Sequence, residues 1–248
     1  MKFSKIIITS LGVLMIGSSF LSCKRETPAS ASYRGVNLSS TFQVFSATVK
    51  AARNYVYVDG VPVTGAALAY QGVTPGTAYS YNVGAGTHTI LIKDTLPATT
   101  QVPLTFSQTF EVGKDYSIFT YDTITSPKQM TILNDLTVPK DTTSRLRFAN
   151  FIYNPTAVPA VDVYSFRRGG VGGMGAVPVF ANVATNTVTD FIPYASQQTD
   201  TLYVYAQGTT SLIVKAFVTS FTPQRFYTSC YNGSYRAATK ALTTFTTY

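Results

Sequence analysis

The sequence predicts an all-β protein built from two tandem antiparallel β-sandwich domains. Three observations carry this. Short runs rich in Val, Thr, Tyr and Phe alternate apolar and polar residues at period two, as half-buried pleated strands do. Gly, Pro, Asn and Asp punctuate those runs at short intervals, the spacing of sandwich and barrel folds. The order of the runs then recurs after roughly 110 residues, a period that means tandem domains and not a solenoid.

The chain opens with a basic segment, Met1 to Lys5, followed by an apolar run from Ile6 to Leu21 that Gly and Ser interrupt. A membrane-spanning helix needs about 20 apolar residues, and this run is shorter and broken. A basic start, an apolar middle and a small residue at a cleavage point describe a secretory signal. Cys23 directly follows Ser22, and Lys24-Arg25-Glu26 turns polar at once. In this the segment is similar to a bacterial lipoprotein signal, although Phe20 stands where such signals usually carry Leu. The resemblance implies cleavage after Ser22 and acylation of Cys23, hence an anchor in the cell envelope. The outer membrane of a Gram-negative bacterium is the expected site, with its periplasmic or surface face left open. The predicted organisation is a signal peptide over 1–22, a lipidated cysteine and flexible tether over 23–40, and a first sandwich over 41–135. A linker over 136–144 and a second sandwich over 145–248 complete it.

Within the first sandwich, Tyr55-Val56-Tyr57-Val58 ends in Asp59-Gly60, a turn in which glycine supplies positive φ without steric cost. Then come Tyr70-Gln71-Gly72-Val73, Ala78-Tyr79-Ser80-Tyr81, Thr87 to Ile92 and Phe110 to Phe119. The second sandwich offers matching runs: Asp162-Val163-Tyr164, Phe180-Ala181-Asn182-Val183, Thr189 to Ile192, Asp200 to Val204 and Phe221 to Thr228. The linker holds Pro139 and a polar string ending at Ser144, the composition of a boundary. Strands of this length and number suggest immunoglobulin-like sandwiches.

Arg145 to Asn150, Pro155 and Val161-Asp162-Val163-Tyr164 form a basic-apolar strand, an Asn, a Pro-bearing turn and a second strand. Gly86-Thr87-His88-Thr89, the closing Gly113-Lys114-Asp115-Tyr116-Ser117 and, more loosely, Gln224 to Thr228 complete a pattern. This pattern resembles the domain-of-unknown-function family numbered 4397, in two copies across residues 40–248. The first copy departs at its start, where Thr41 to Phe45 has no proline-rich turn. The resemblance implies an extracytoplasmic β-sandwich and brings no catalytic residues with it.

Composition narrows the function. The formal net charge is +8, and without Lys2 and Lys5 the balance of basic to acidic residues is still 17 to 11. Those charges are scattered, whereas nucleic-acid binders concentrate them on one face, so no nucleic-acid partner is expected. With Cys23 acylated, Cys230 has no intrachain partner, and its strand-like surroundings read as core. His88 is the single histidine, and no cluster with metal-ligand spacing exists, so no metal and no cofactor are expected. Gly170 to Gly175 fits G-x-G-x-x-G, but the strand-like Ala176 to Phe180 that follows is not the helix a dinucleotide site needs.

The chain therefore reads as a non-enzymatic binding or structural module, with a glycan or an envelope protein as the partner. Alternation turns Val56 and Val58 to one face and Tyr55 and Tyr57 to the other; it separates Leu202 and Val204 from Tyr203 and Tyr205 in the same way. The tyrosine pairs Tyr55/Tyr57 and Tyr203/Tyr205 are expected at equivalent outer positions of the two sandwiches, exposed and able to stack on sugar rings. Arg167 and Arg168, at the base of the Gly169–Gly175 loop, are candidates for an anion. The weaker alternative is a hydrolase whose acids, Asp162 and Asp190 among them, converge in the fold.

Overall fold

Residues 38–76, 78–169, 178–218 and 220–248 are described by the computed structural model, in which Asn37–Tyr248 forms one compact unit. The signal segment, Cys23, most of the tether and the glycine-rich loop lie outside the described residues, as does the side chain of Arg168.

Eighteen strands and one four-residue helical turn make up the described chain. The first half contains β1 (Ser39–Ser46), β2 (Asn54–Val58), β3 (Val61–Pro62), β4 (Val73–Thr74), β5 (Tyr81–Gly84), β6 (Gly86–Asp94), β7 (Leu104–Phe110), β8 (Asp115–Thr123) and β9 (Ser126–Asn134). The second contains β10 (Ser144–Tyr153), β11 (Val161–Ser165), α1 (Phe166–Gly169), β12 (Phe180–Val183), β13 (Thr187–Val188), β14 (Ile192–Tyr194), β15 (Asp200–Ala206), β16 (Leu212–Val218), β17 (Phe226–Ser234) and β18 (Ala241–Thr246).

Each half is a β-sandwich with the same strand order. Its inner sheet runs β4-β1-β8-β9 with β5 also on β1, or β13-β10-β17-β18 with β14 also on β10. Its outer sheet runs β3-β2-β6-β7, or β12-β11-β15-β16. The sheets are antiparallel except at one place in each half, where β1 lies parallel to β8 and β10 parallel to β17. Alternation cannot reveal strand direction, so this departure from the expected antiparallel pattern had no local signal. The topology also corrects one pairing of runs. Phe180–Val183 is β12, which sits on β11 as β3 sits on β2, while Tyr70–Val73 leads into β4, whose counterpart is β13.

Alternation explains the layers. On β1, Phe42 and Val44 enter the core between the first half's two sheets, where Val56, Ile90 and Ile92 meet them. Phe45 and Ala47 point the other way. On β10, Leu146 and Phe148 join the second half's core with Val163, Leu202 and Val204, while Ala149 and Phe151 face back toward Phe45 and Phe119. A third core between the two inner sheets results. There Phe45 stacks on Phe245 at 4.8 Å and Phe119 lies 5.0 Å from Phe151, with Cys230 fully buried among them. Central strands of the inner sheets are thus covered on both faces and are buried along almost their whole length, with polar residues such as Asn150, Thr228 and Asn232 buried among the apolar ones.

The closing motif of each half has a physical cause. The Tyr116 hydroxyl accepts a hydrogen bond from the Glu111 backbone N at 3.1 Å, and the Tyr227 hydroxyl accepts one from the Thr222 N at 2.9 Å. Between each pair the chain turns through positive φ, at Gly113 (70°) and at Gln224 (60°). Each ring packs on the Phe that precedes the turn, Phe110 or Phe221. This corner fastens the start of β8 and of β17 against the preceding strand.

Candidate functional site

The outer sheet of the second half carries a cluster of aromatic side chains on its outward face. Cross-strand register puts Tyr164, Tyr203 and Lys215 in one row, with Thr201 and Phe217 in the next. The Tyr203 and Tyr205 rings lie nearly parallel, 10° apart with centroids at 6.3 Å, and Tyr164 meets Tyr205 edge-on at 5.6 Å. The Lys215 ammonium sits 5.7 Å from the Tyr203 ring. Phe217 is 67% exposed, while Tyr164 and Tyr203 are half-buried. Tyr164 and Tyr203 therefore keep part of their surface in solvent, with Phe217 on the adjoining row. Tyr205 departs from the expected exposure. It is 4% exposed, and its burial, with Tyr203 and Tyr164 alongside, raises its phenol above the ordinary value.

Tyr55 and Tyr57 lie half-buried on the outward face of the first half's outer sheet, with the Lys93 ammonium 5.0 Å from the Tyr57 ring. They are not at positions equivalent to Tyr203 and Tyr205. Aligning the buried Val56 with Val163 matches Tyr55 to Asp162 and Tyr57 to Tyr164. The same register matches Tyr203 to Leu91 and Tyr205 to Lys93 on the neighbouring strand. Period two assigns a face of the sheet but says nothing about which strand of the sheet a run occupies.

Arg167 is turned onto its own chain. Its Nε donates to the Thr199 carbonyl and an Nη donates to Gln198 Oε1 at 3.1 Å. The acids meanwhile serve local structure. Asp162 accepts from the backbone N of Asn182 at 2.7 Å and of Gly208 at 2.8 Å, clamping two loops. Asp200 accepts from the Ser165 and Tyr194 hydroxyls and from the Thr201 N at 2.6 Å. His88, with its side chain 20% exposed, bridges the Asp59 carboxylate at 2.6 Å and the Gly84 carbonyl at 2.9 Å. Among the described residues no group of three His, Cys, Asp or Glu could hold a metal ion.

A second constellation, which sequence reasoning missed, lies where the two inner sheets meet. Arg147 is 1% exposed, and its guanidinium donates to Thr228 Oγ1 at 2.9 Å, Asn134 Oδ1 at 2.8 Å and Ser117 Oγ at 2.7 Å. The Phe191 ring lies 4.5 Å and the Phe119 ring 5.6 Å from it. No carboxylate comes within ion-pair distance of Arg147 among the described residues. Burial pushes the guanidinium down to about 9, so it stays charged at neutral pH. Asn134 also donates to Asp115, whose carboxyl is raised by burial even though Thr41 and Ser80 donate to it as well. The only sequence signal was an Arg inside the apolar run Leu146 to Ile152, where a charge has no place unless it is buried and bonded.

The comparisons with known proteins bear on the fold more than on either site. The model of a family described as "Domain of unknown function (DUF4397)" matches residues 40–164, just over half of the chain. The chain belongs to the DUF4397 family. The match takes in every strand of the first half and ends within β11 of the second. No curated protein matches the chain in sequence. A solved structure described as "Alpha-glucan binding by a streptococcal virulence factor" is 10% identical and covers 75% of this chain and 92% of that one, with a TM-score of 0.22. An overlap at that score defines neither a shared fold nor a shared ligand.

Proposed function

We propose that this DUF4397 protein is a non-enzymatic binding module of the cell envelope, anchored through acylated Cys23. In this reading it captures glycan on the outward face of its second half. Residues 145–248 form a second copy of the family domain, specialised for the ligand, while the first copy serves as a spacer on the tether.

One observation carries the ligand face. Both halves share a strand order, so each outward position of one outer sheet has a counterpart in the other. Where the second half has Tyr203, Tyr205 and Phe217, the first has Leu91, Lys93 and Ser107. The sandwich folds without aromatic residues at these places; Tyr205 is itself buried, but Tyr203 and Phe217 keep solvent-facing surface that the core does not require. A Phe ring at 67% exposure leaves apolar surface in water, and clustered Tyr hydroxyls beside apolar ring edges suit a polyhydroxylated partner.

The test is retention of the detergent-solubilised full chain on envelope and dietary polysaccharides, alongside two double variants. Tyr203→Ala with Phe217→Ala should abolish retention, and Tyr55→Ala with Tyr57→Ala should leave it intact. Equal loss in both variants, or retention on no polysaccharide at all, would sink the reading. The anchor is tested separately: Cys23→Ala should move the protein out of the membrane fraction and remove the acyl mass.

A further inference from the structure

The seam between the two inner sheets opens on a cavity of about 330 Å³ with Arg147 at its floor. Arg145, Asp135 and Asp190 stand around it, and Phe191 and Phe226 form apolar walls. A larger cleft of about 560 Å³ adjoins it across Leu133, Asp135 and Thr137 and reaches Asp115. Clefts of this size at the junction of two folded units are where small ligands commonly bind.

Register shows that the charge at the floor is not demanded by the fold. The Tyr116 and Tyr227 corners match, so their β-partners Phe42 and Leu146 match, and Arg147 stands where the first half has Gln43. Gln43 does a comparable structural task, donating to the backbone carbonyls of Gly76 at 2.8 Å and Thr246 at 3.3 Å. A neutral amide is therefore sufficient to tie one inner sheet to the other. Arg147 instead buries a full charge on three neutral acceptors, with the Asp115 carboxylate held beyond Asn134 and out of direct contact, so a directly bonded anion would lower the cost of that burial. Three of its five N–H groups are engaged, which leaves two for a further acceptor. Among the described residues the Asp190 carboxylate, exposed at the rim, has no partner, and Asp135 accepts from Thr137 alone.

From this set of groups we infer that the seam cavity binds a small zwitterion with an apolar side group, an α-amino acid or a dipeptide. Its carboxylate lies toward Arg147 and Arg145, its ammonium toward Asp190 and Asp135, and its apolar group against Phe191 and Phe226. Arg145 also stands 4.0 Å from Asp141 and donates to Thr143 Oγ1, so it supports Arg147 and does not replace it; the lining carries charge of both signs, which a zwitterion meets and a simple anion or cation meets only in part. This site is separate from the aromatic face of the outer sheet.

The experiment is calorimetric titration of the full chain in detergent with phenylalanine, leucine and alanyl-phenylalanine, then with N-acetyl-alanyl-phenylalanine and alanyl-phenylalanine amide. At least one free zwitterion should bind, and blocking either end of the dipeptide should weaken its binding by about tenfold or more, the effect of one charge-assisted contact. Asp190→Asn, a surface change with no bond to break, should weaken the free dipeptide about tenfold and leave the N-acetylated form unchanged. The Tyr203→Ala, Phe217→Ala variant should keep full affinity for the dipeptide, which separates this site from glycan capture. Binding by none of the three zwitterions, equal binding of free and blocked dipeptide, or an unaltered affinity in Asp190→Asn would overturn the assignment.

Discussion

Gly233→Ala should be among the most damaging single substitutions in this protein. Gly233 lies in β17 at φ 109°, a conformation that L side chains rarely adopt. A methyl group there would meet the Thr239 carbonyl oxygen at 2.6 Å, Lys240 Cα at 2.7 Å and the Tyr70 hydroxyl at 2.8 Å. Two of these three are backbone atoms, which cannot swing aside. Backbone strain of this kind costs about 1–3 kcal/mol, and forcing a methyl into occupied space about 1–3 more. A total of about 4 kcal/mol corresponds to a fall in Tm of about 8–16 °C for a unit of this size. Gly208→Ala is the control, since Gly208 also has positive φ (65°) but open space around its Cβ position. It should lose only the conformational share, about 1 kcal/mol. Tyr70 reaches Gly233 from the first half and donates to Asn232 Oδ1 at 2.9 Å, so the clash also loosens the seam. Denaturant unfolding of the two variants beside the parent measures the difference. If Gly233→Ala lost no more than Gly208→Ala, the close approach of Tyr70 and the 239–240 turn to β17 would be refuted.

Two further outcomes follow from the same geometry. Tyr116→Phe and Tyr227→Phe each remove the acceptor of one partly buried backbone N–H and should each lose about 1 kcal/mol in denaturant unfolding. The corners lie in separate halves, so the double variant should equal the sum within about 0.5 kcal/mol, and a large departure would mean that the corners communicate. Asp94 is held below its ordinary 3.8 first by hydrogen bonds from Arg53, then by the Leu96 N–H, with Thr99 adding to them. As pH falls the unfolded chain takes up this proton before the folded one does. The contribution of Asp94 is therefore complete above its unfolded value and disappears as pH drops through its lowered folded value. Asp94→Asn should lower Tm at pH 7, and the gap to the parent should narrow progressively as pH falls below 3.8. A gap of constant size across that range would show that the carboxylate's charge contributes nothing.

Much of the architecture was legible because it rests on local rules. Alternation in Tyr55 to Val58 and Leu202 to Tyr205 placed Val56, Leu202 and Val204 in cores, since a strand turns successive side chains to opposite faces whatever its neighbours are. The strand-like run around Cys230 pointed to a buried thiol, and burial does raise it. The closing Gly113 to Ser117 segment signalled its own turn, because positive φ and the tyrosine corner involve residues only five apart.

What depended on distant partners was not legible. Strand direction in β1 and β8 is decided by where the chain re-enters the sheet after some 70 residues. Whether Tyr205 stays in water depends on what packs over the outer sheet, and the mismatch of Tyr55/Tyr57 with Tyr203/Tyr205 depends on which strand is whose neighbour. The third core is the clearest case. Phe45, Phe119, Phe151 and Phe245 come from four strands spread across 200 residues, and they meet because each inner sheet has a second apolar face that only the other can cover. Arg147 belongs to that layer: by itself the sequence presented a charge in an apolar strand, and only the packing of one sandwich on the other showed which groups hold it and which cavity it faces.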